Sequence, residues 1–406
     1  MDPTPRRQAS IEDIEEIWQA ADVVIEAART IALQPESSKT LRTFTMTEVC
    51  SLLDLHPTVF YELIRQHPEL GGTKTAAKRL FTLAEIHRLQ GHLKKLPRQM
   101  YDVERAVTIS VANFKGGVAK TFTTVTLAQY FAMRGYRTLV IDTDPQGSLS
   151  TTFGLKPTEI DDWKTVLPYF YGRAMVEAEG NEWPQSFAES VQPTYWTGLD
   201  IVGANLNLYS GEFVLGMRRN TDPEFRFHTP LDEALEDVRG QYDVILIDNP
   251  PALSLSTAAA IFAADGLVIP CPPEALDFES ARAFIKLAAE ILRAVRSGFN
   301  TSKEFEFLRV LITKYNGLPA HQFMAQRMLD VFKERCVEVP MLQSAAVQSL
   351  GTELKTLYEA DPTAKGRAVL KRAIESANAV NAVIEQDVIS IFQARQRQRL
   401  DKQAAA

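Results

Sequence analysis

Cysteine is scarce in this 406-residue chain, and its few cysteines form no pattern that predicts a structural site. Cys50, Cys271 and Cys336 lie far apart, with no C-x-x-C pair and no Cys/His spacing suited to a metal. An odd number of widely spaced cysteines makes a poor disulfide framework. The composition therefore excludes a disulfide-stapled secreted domain and predicts a reducing cytoplasm.

Long apolar runs are also missing. No stretch of about 18 apolar residues offers a membrane span, and the N-terminal MDPTPRRQAS lacks the apolar core of a signal peptide. We therefore expect a soluble cytoplasmic protein with no membrane partner. The length exceeds that of one ordinary compact domain, which predicts two domains.

An excess of basic charge is absent too. The formal net charge of −7 argues against a polyanion partner, because long-range repulsion opposes its approach. The charge is nevertheless segregated, since residues 1–40 carry eight acids and four bases. Residues 74–98 have one acid, Glu85, and seven bases, namely Lys74, Lys78, Arg79, Arg88, Lys94, Lys95 and Arg98. The sequence thus predicts one locally basic surface on an acidic protein.

The first regular pattern is an apolar seam near the N-terminus. Apolar residues recur in alternating three- and four-residue steps, which is typical of one face of a helix. The seam consists of Ile11, Ile14, Trp18, Ala21, Ile25, Ala28 and Ala32, with Ser10 as a plausible N-cap. It must pack against another helix, either in the chain's own second domain or in a second copy of the chain. We assign residues 1–40 to this helix and to a linker, PESSK at 35–39.

Residues 41–104 are predicted to form a small, mainly helical domain. The segment TFTMTEVCSLLDL, a break at His56-Pro57 and the segment TVFYELIRQ give helix, tight turn and helix. Gly71-Gly72, the short TKTAAKRLFT and then LAEIHRL predict a hairpin or wing followed by a third helix. This order resembles the winged helix-turn-helix of the MerR type.

That resemblance implies a DNA-binding surface. The second helix would enter a major groove and the wing would contact phosphates. The residues implied in the groove are Thr58, Tyr61, Arg65 and Gln66, and those implied at phosphates are Lys74, Lys78 and Arg79. Many helical hairpins have no DNA partner, so the alternative is a small dimerisation domain with a solvated charged face.

A glycine loop between a strand and a helix gives the strongest signal. The β-branched run AVTISVAN is followed by FKGGVAKT and by the helical TFTTVTLAQYFAMRG. The N–H groups of such a loop and the helix N-terminus form an anion cradle. Gly116 and Gly117 let the backbone approach phosphates, Lys120 can neutralise the β- and γ-phosphates, and Thr121 can offer its hydroxyl to Mg²⁺.

The loop departs from the ordinary pattern G-x-x-x-x-G-K-[ST], because Phe114 and Ala119 stand where that pattern has glycines. It matches K-G-G-x-x-K-[ST] instead, and residues 106 to about 350 resemble the ParA/MinD family of deviant Walker A ATPases. In that family the first lysine, here Lys115, reaches across a face-to-face homodimer to the partner's nucleotide. The resemblance implies nucleotide contacts from Lys115, Gly116, Gly117, Val118, Ala119, Lys120, Thr121 and Phe122. We assign residues 105–406 to this ATPase domain with its C-terminal helix.

Three aspartates follow in the order that the family would have. The segment RTLVIDTDPQGS ends a strand at Asp142 and Asp144, and YDVILIDNPPAL ends another at Asp248. By resemblance, Asp144 orients water and completes a catalytic set with Lys115 and Lys120, while Asp248 holds Mg²⁺ through water beside Thr121. Asp142 is interpreted as a loop or outer Mg²⁺ group. All three follow strands, at the edge where open α/β sheets bind ligands.

The later strand FLRVLITKYN bears on the choice of base. It contains no N-K-x-D, whose carboxylate recognises guanine, so ATP and ADP are favoured as ligands. Asn316 and Pro272 are predicted to contact adenine, with ordinary loop closure as the alternative. A redox ATPase of the nitrogenase-reductase type is a rival on the same fold, but the chain lacks a suitable cysteine pair for a bridging Fe–S cluster.

The C-terminal segment 366–394 is strongly helical. Val380, Ile384, Val388 and Phe392 recur at helix spacing, which predicts docking against the core. ARQRQRL at 394–400 lacks the apolar residues of the membrane helix found in MinD relatives. Its arginines could instead form a sequence-independent DNA surface together with Lys355, Lys365, Arg367, Lys371 and Arg372, and a solvated helix face is the alternative. The aromatic-rich stretch 155–196 is interpreted as helices that cover the core.

The N-terminal extension resembles that of the larger plasmid partition proteins, ParA and RepA. The implied fold is α/β, a mostly parallel P-loop NTPase sheet with helices on both faces, preceded by the smaller winged helix-turn-helix domain. The implied function is plasmid partition, with ATP hydrolysis, a homodimer, repression at operator DNA, non-specific nucleoid DNA binding in the ATP state and release by a ParB/RepB-type centromere-binding protein. The alternative is a nucleotide-regulated transcriptional repressor without a transport role.

Overall fold

A computed structural model of the chain describes residues 10–33, 39–76, 78–178, 180–352, 355–361 and 368–405. The helices are α1 (Ile11–Leu33), α2 (Met46–Leu53), α3 (Pro57–Gln66), α4 (Leu83–His92), α5 (Pro97–Tyr101), α6 (Lys120–Met133), α7 (Ser148–Thr152), α8 (Leu167–Tyr171), α9 (Arg173–Ala178), α10 (Leu208–Thr221), α11 (Pro230–Arg239), α12 (Leu255–Phe262), α13 (Ala275–Phe299), α14 (Pro319–Phe332), α15 (Ala345–Thr352) and α16 (Ala368–Ala405). The strands are β1 (Phe44–Thr45), β2 (Thr73–Lys74), β3 (Arg79–Phe81), β4 (Val107–Val111), β5 (Thr138–Asp142), β6 (Gln192–Pro193), β7 (Leu199–Val202), β8 (Val244–Asp248), β9 (Gly266–Cys271), β10 (Phe307–Ile312) and β11 (Cys336–Val337).

An eight-stranded sheet forms the centre of the larger part of the molecule. Its strand order is β11-β10-β9-β4-β8-β5-β7-β6, and every neighbouring pair is parallel except the edge pair β6 and β7. In β8, Val244 and Leu246 join one buried cluster while Ile245 and Ile247 join another, because successive strand side chains point to opposite faces. The predicted mostly parallel α/β sheet, buried on both faces, is confirmed.

The C-terminal helix α16 covers one face of this sheet. Val380, Ile384, Val388 and Phe392 are buried in the same cluster as Phe131 of α6, so the predicted docking is confirmed. Glu385 lies in this interface, where its carboxylate accepts hydrogen bonds from the hydroxyls of Tyr130 (2.9 Å) and Tyr136 (3.0 Å). The helix is therefore held by apolar burial and by a bonded buried carboxylate.

Two arginines of ARQRQRL serve this docking rather than presenting a free cationic surface. Arg395 pairs with Asp265 at 3.0 Å, and Arg399 pairs with Asp102 at 3.0 Å. Both guanidiniums are thus engaged within the chain, and the DNA contacts predicted for these two side chains stay a prediction. Lys365 and Arg367 lie outside the described residues.

The aromatic-rich stretch covers the opposite face through the short helices α8 and α9 and several single turns. Tyr169, Phe170 and Phe187 are buried in the cluster that contains Ile245, so the interpretation as core-covering structure is confirmed. Trp196, at the end of the same stretch, is buried in the cluster on the face of the sheet that α16 covers.

The N-terminal segment follows the predicted order of helix, turn, helix, hairpin and helix. Thr45 and Glu48 form a capping box at the start of α2, and Pro57 occupies the first turn of α3, where its missing N–H has no helical partner. The strands β1, β3 and β2 pair in an antiparallel three-stranded sheet, and β2 and β3 make the hairpin.

This segment packs directly on the larger part of the molecule. Gln90 donates from Nε2 to the Met133 carbonyl at 3.1 Å, and His87 Nε2 lies 2.7 Å from the Ala132 carbonyl. Arg98 pairs with the buried Asp243 at 2.8 Å. Phe44, Phe60 and Phe81 belong to the same buried cluster as Val107 and Phe131. The N-terminal segment therefore shares a hydrophobic core with the sheet and is not a separate domain on a flexible linker.

Helix α1 differs from the other elements described above, because no other part of the described chain covers its apolar seam. Ser10 caps it through a hydrogen bond from Asp13 N, as predicted. The described seam residues Ile11, Ile14, Trp18 and Ile25 remain at least half exposed. Packing of this seam against the chain's own second domain is therefore wrong for these residues. No helix among the described residues is both long enough and apolar enough to cross a bilayer.

Candidate nucleotide-binding site

The glycine loop lies between β4 and α6, at the carboxyl edge of the sheet. Gly117 (φ +76°) and Ala119 (φ +75°) both adopt left-handed backbone conformations. A Cβ added to Gly117 would meet no atom within 4 Å, and one added to Gly116 would meet only Pro251, at 4.0 Å. The space in front of the two glycines is therefore open to a ligand.

Lys120 begins α6 and is almost completely buried. Its ammonium donates to the Lys115 carbonyl at 3.2 Å, which folds the loop back over the start of the helix. Burial lowers the pKa of Lys120, and the charges of Asp248 and Asp144 oppose that shift. Val118, within the loop, is buried, and its carbonyl accepts a hydrogen bond from the Thr313 hydroxyl at 3.0 Å.

Asp248 ends β8 directly below the loop and is fully buried. One carboxylate oxygen accepts from the Thr121 hydroxyl at 2.7 Å, and the other accepts from the Thr124 hydroxyl at 3.0 Å. Burial raises the pKa of Asp248 to about 7, while the two threonine hydrogen bonds and Lys120 act against that rise. Hydroxyl and carboxylate oxygens are the donors that Mg²⁺ prefers, so this donor set fits that ion.

Asp142 and Asp144 follow β5 but occupy different environments. Asp142 is buried and accepts at Oδ2 from the backbone N (2.8 Å) and the hydroxyl (2.7 Å) of Ser150. Burial and the nearby Asp248 raise the pKa of Asp142 to about 8. Asp144 is half-buried and lines a cavity with Lys120 and Thr121. Asp142 thus shapes the loop, whereas Asp144 faces the space where a ligand would lie.

That cavity measures about 480 Å³, a size usual for small-molecule sites. It is lined by Gly116, Gly117, Ala119, Lys120, Thr121, Phe122, Asp144, Ser148, Pro251, Lys314, Met341, Leu342, Gln343, Ser344, Val347 and Gln348. Its walls away from the loop come from Lys314 and from residues 341–348, which the sequence analysis did not single out.

The two residues predicted to contact adenine are not among the described residues that line this cavity. Pro272 is buried, and its carbonyl accepts from Glu274 N at 2.8 Å as the chain enters α13. The Asn316 side chain accepts from Leu318 N at 3.0 Å. Both contacts are those of ordinary loop closure, the alternative given above, and adenine contact by these two residues stays a prediction.

A second set of contacts missed by the sequence analysis joins helix α10 to both carboxyl-edge loops. Tyr209 accepts at its hydroxyl from Gln146 Nε2 at 2.9 Å, in the loop after Asp144. Glu212 accepts from the backbone N of Leu255 (3.0 Å) and of Ser256 (2.9 Å) at the start of α12. Nothing in the sequence pairs these positions, because the contacts arise only when β5, β7 and β8 become neighbours.

Lys115 does not line the cavity among the described residues. Its ammonium lies 2.9 Å from the Asp277 carboxylate, in the first turn of α13. The lysine that the family would use toward a partner is thus engaged within its own chain.

The residues predicted to contact DNA lie in the N-terminal segment, away from the cavity. Thr58, Tyr61 and Arg65 are exposed at helix spacing along α3, and Lys74 and Lys78 are exposed at the hairpin. Arg65 pairs with Glu62 at 2.7 Å on that face. Arg79 is partly buried, and its guanidinium donates to the Gly71 carbonyl just before the hairpin, so its phosphate contact stays a prediction.

The chain is similar to known proteins along nearly its whole length. The AAA domain family matches residues 106–301. A putative replication protein A from Sinorhizobium fredii is 32% identical over 396 residues, spanning 94% of each chain. The chromosome-partitioning ATPase Soj from Thermus thermophilus is 30% identical over 273 residues, spanning 67% of this chain and 95% of the relative. Protein SopA from Escherichia coli is 29% identical over 341 residues, spanning 80% and 82%.

Solved structures show the same fold. One described as a partition protein superimposes with a TM-score of 0.64 at 20% identity, covering 92% of this chain and 98% of that one. An ATP complex of a McdA variant from Cyanothece gives a TM-score of 0.52 at 19% identity, covering 68% and 96%.

Proposed function

The chain belongs to the ParA/MinD family of deviant Walker A partition ATPases, and we propose that it binds ATP with Mg²⁺ and hydrolyses it to ADP and phosphate. The observation that carries this proposal is the convergence of Lys120, Thr121 and Asp248 below an open diglycine loop. The hydrogen bonds among these buried polar groups hold the three side chains in place beside the open loop, which supports the proposal.

The loop residues would take the phosphates. Backbone N–H groups around Gly116 and Gly117 and the N-terminus of α6 present positive dipole ends to an anion. Lys120 adds a formal charge at the same place. The Mg²⁺ ion would be held by Thr121 and, through water, by Asp248, and when bound it supplies charge that neutralises the phosphates.

Asp144 is the proposed group that orients the attacking water. It is half-buried at the cavity wall, close enough to Lys120 that its charge opposes the lowering of the Lys120 pKa by burial. A carboxylate in this position can hold a water in line with a bound γ-phosphate. Asp142 is excluded from that role, because its oxygens are occupied by Ser150 and by Asp144 N.

Titration calorimetry of the full chain with ATP, ADP and GTP in the presence of Mg²⁺ tests the site. We expect uptake of ATP and ADP and clearly weaker uptake of GTP, followed by slow phosphate release from ATP. Absence of adenine nucleotide uptake would overturn the proposal.

We further propose that the chain acts as a homodimer through two surfaces. Lys115 would contact the partner's nucleotide in the ATP state, and the exposed seam of α1 would pack against α1 of a second copy. A helix with an uncovered apolar seam gains stability by burying it. Replacing Trp18 by Glu should shift the nucleotide-free chain toward the monomer in sedimentation, and an unchanged distribution would remove the α1 contact from the proposal.

Two modes of DNA binding complete the proposal. The winged helix-turn-helix formed by α2, α3 and the hairpin would repress the chain's own operator, and ATP-bound dimers would bind DNA without sequence preference. A ParB/RepB-type partner would stimulate hydrolysis and release the dimers, which places the protein on the nucleoid in the cytoplasm during plasmid partition. Exposed Lys74 and Lys78 supply the phosphate-contacting charge of the operator surface.

Footprinting without nucleotide, with ADP and with ATP tests the operator mode. The Lys74→Ala/Lys78→Ala double variant should bind operator DNA about tenfold more weakly, and its salt dependence should fall by about two ionic contacts. The control double variant Lys156→Ala/Lys286→Ala removes two lysines of the larger part, one half-exposed and one exposed, and should footprint normally. Equal footprints for all three proteins would contradict this surface.

The alternative function is a nucleotide-regulated repressor without a transport role. It shares the DNA surface but needs no stimulated hydrolysis. Phosphate release measured with DNA and a centromere-binding partner separates the two, because only a partition ATPase should accelerate when both are present.

A further inference from the structure

Two successive residues of the glycine loop are bound to helix α13. The Phe114 ring packs against the Phe284 ring at a centroid distance of 6.2 Å, and the Lys115 ammonium pairs with Asp277 at 2.9 Å. The backbone just before them is also fixed, because Asn113 donates from Nδ2 to the Pro270 carbonyl at 2.9 Å. The front half of the loop is therefore attached to β9 and α13, whereas its back half belongs to α6.

The two partners of the ion pair differ in exposure. The Lys115 side chain is 35% exposed, and the Asp277 side chain is 9% exposed. Lys115 can therefore leave the pair by rotating outward, but Asp277 cannot follow it. A buried carboxylate that loses its cation is left uncompensated, which is costly.

We propose that Asp277 is a positioning residue that holds Lys115 within its own chain, and that this ion pair opens when Lys115 reaches the nucleotide of a second copy. The inference rests on the proposed function, because it takes ATP-dependent pairing of two chains as its premise. Breaking the Lys115–Asp277 ion pair costs free energy and so opposes association of the two chains. The phosphates of a bound triphosphate must therefore attract Lys115 more strongly than the Asp277 carboxylate does. Asp277 thereby sets how strongly the chain distinguishes a triphosphate from a diphosphate.

A structural role for Asp277 makes different predictions. An acid in the first turn of a helix interacts favourably with the helix dipole, and Glu274 gives α13 no side-chain cap. If that were the whole role, removing the charge would lower thermal stability and leave Lys115 unchanged. A positioning role instead changes the chemical reactivity of Lys115 and the binding of a triphosphate.

The first measurement uses the full chain without nucleotide. Acylation of lysines by a water-soluble ester, quantified by mass spectrometry, should label Lys115 several-fold faster in Asp277→Asn than in the unmodified chain. Asp277→Ser provides a second uncharged variant, whose side chain suits a first helical turn. Glu279→Gln is the matched control, because it removes an exposed acid of the same helix that pairs with Arg282. Equal Lys115 labelling in all four proteins would overturn the proposal.

The second measurement compares a non-hydrolysable ATP analogue with ADP by calorimetry. Asp277→Asn should bind the analogue about tenfold more tightly, a coupling of ordinary size, and should bind ADP as before. The effect should disappear in a Lys115→Ala background, because there is then no lysine for which Asp277 and the triphosphate compete. Analogue affinity that is unchanged or weaker in Asp277→Asn would sink this inference alone, whereas an unmodified chain that takes up neither nucleotide would sink the proposed function.

Discussion

The predicted phosphate-binding edge of the sheet and the outer face of the N-terminal helices both carry charged side chains at proposed binding sites, but they hold them in opposite ways. At the edge, Lys120 and Asp248 are buried, and their polar atoms bond to neighbouring loop and helix residues. On the outer face, Lys74 and Lys78 are simply exposed. Burying a polar group costs free energy unless it is paired, so a buried constellation specifies a geometry, whereas an exposed cation specifies only a charge. We therefore expect single changes at the edge to abolish a function and single changes on the outer face to weaken one.

Asp144→Ala should have the largest effect. Because a water-orienting carboxylate acts in the transition state, turnover should fall on the order of a thousandfold while affinity for a non-hydrolysable ATP analogue stays within about threefold. Phosphate release and calorimetry measure the two quantities. Asp161→Ala, which removes an exposed aspartate, should match the unmodified chain. Normal turnover in Asp144→Ala would show that the edge does not work as a concerted site.

Lys120→Ala should come next, with nucleotide affinity reduced about a hundredfold, since a charge-assisted contact with phosphate is lost. Operator binding by the N-terminal segment should persist in the nucleotide-free state, which separates the two regions functionally. Calorimetry and footprinting on one preparation check both statements. Lys156→Ala, which removes a half-exposed lysine paired with Glu159, serves as the control and should bind nucleotide normally.

Arg98→Ala tests whether the two regions unfold as one unit despite their separate roles. It removes the cation beside Asp243, which is buried but keeps Arg137 at 2.9 Å, so we expect a loss of about 1–2 kcal/mol in the free energy of unfolding. Hydrogen exchange should report that loss equally for amides of α4 and of β4. In the control Arg88→Ala, an exposed 3.8 Å pair is removed, and stability should change by less than about 0.5 kcal/mol. Loss of protection in α4 alone would show that the shared core is not cooperative.

The sequence was a good guide to the fold and to the edge for a physical reason. Strands such as VILID are buried on both faces and read as continuous apolar runs, and parallel strands place their carboxyl ends together. Asp248 and the glycine loop were therefore expected to be neighbours from their positions alone. Of the two threonine hydroxyls that bond to Asp248, only that of Thr121 was predicted to lie beside it, because Thr121 belongs to the loop pattern. Thr124 reaches the same carboxylate because it lies one helical turn later on the same face.

Contacts between elements distant in the chain could not be predicted in the same way. The Lys115–Asp277 pair, the attachment of Glu212 to α12 and the cavity walls at residues 341–348 depend on how helices pack across the edge. Pro272 and Asn316 were predicted from their position after a strand, which places a residue at the edge but does not determine where its polar atoms point. The docking of α4 on α6 was missed because its polar contacts go to backbone carbonyls, which leave no sequence signature.

The smallest expected effect concerns the backbone of Ala119 in the glycine loop, and Gly72 in the N-terminal hairpin provides the comparison. Ala119 has a left-handed conformation where the ordinary loop pattern has glycine, so Ala119→Gly should relieve strain of about 1 kcal/mol or more, partly offset by the greater freedom of glycine in the unfolded chain. We expect a net gain of about 0.5 kcal/mol in urea denaturation without nucleotide. Gly72 in the hairpin (φ +64°) is the converse case, because an added Cβ would lie 2.6 Å from the Leu80 carbonyl oxygen, and Gly72→Ala should destabilise by about 1–2 kcal/mol. If Ala119→Gly destabilised the chain instead, packing of the alanine methyl group would outweigh the backbone strain. The Ala119 side chain would then stabilise the left-handed loop conformation.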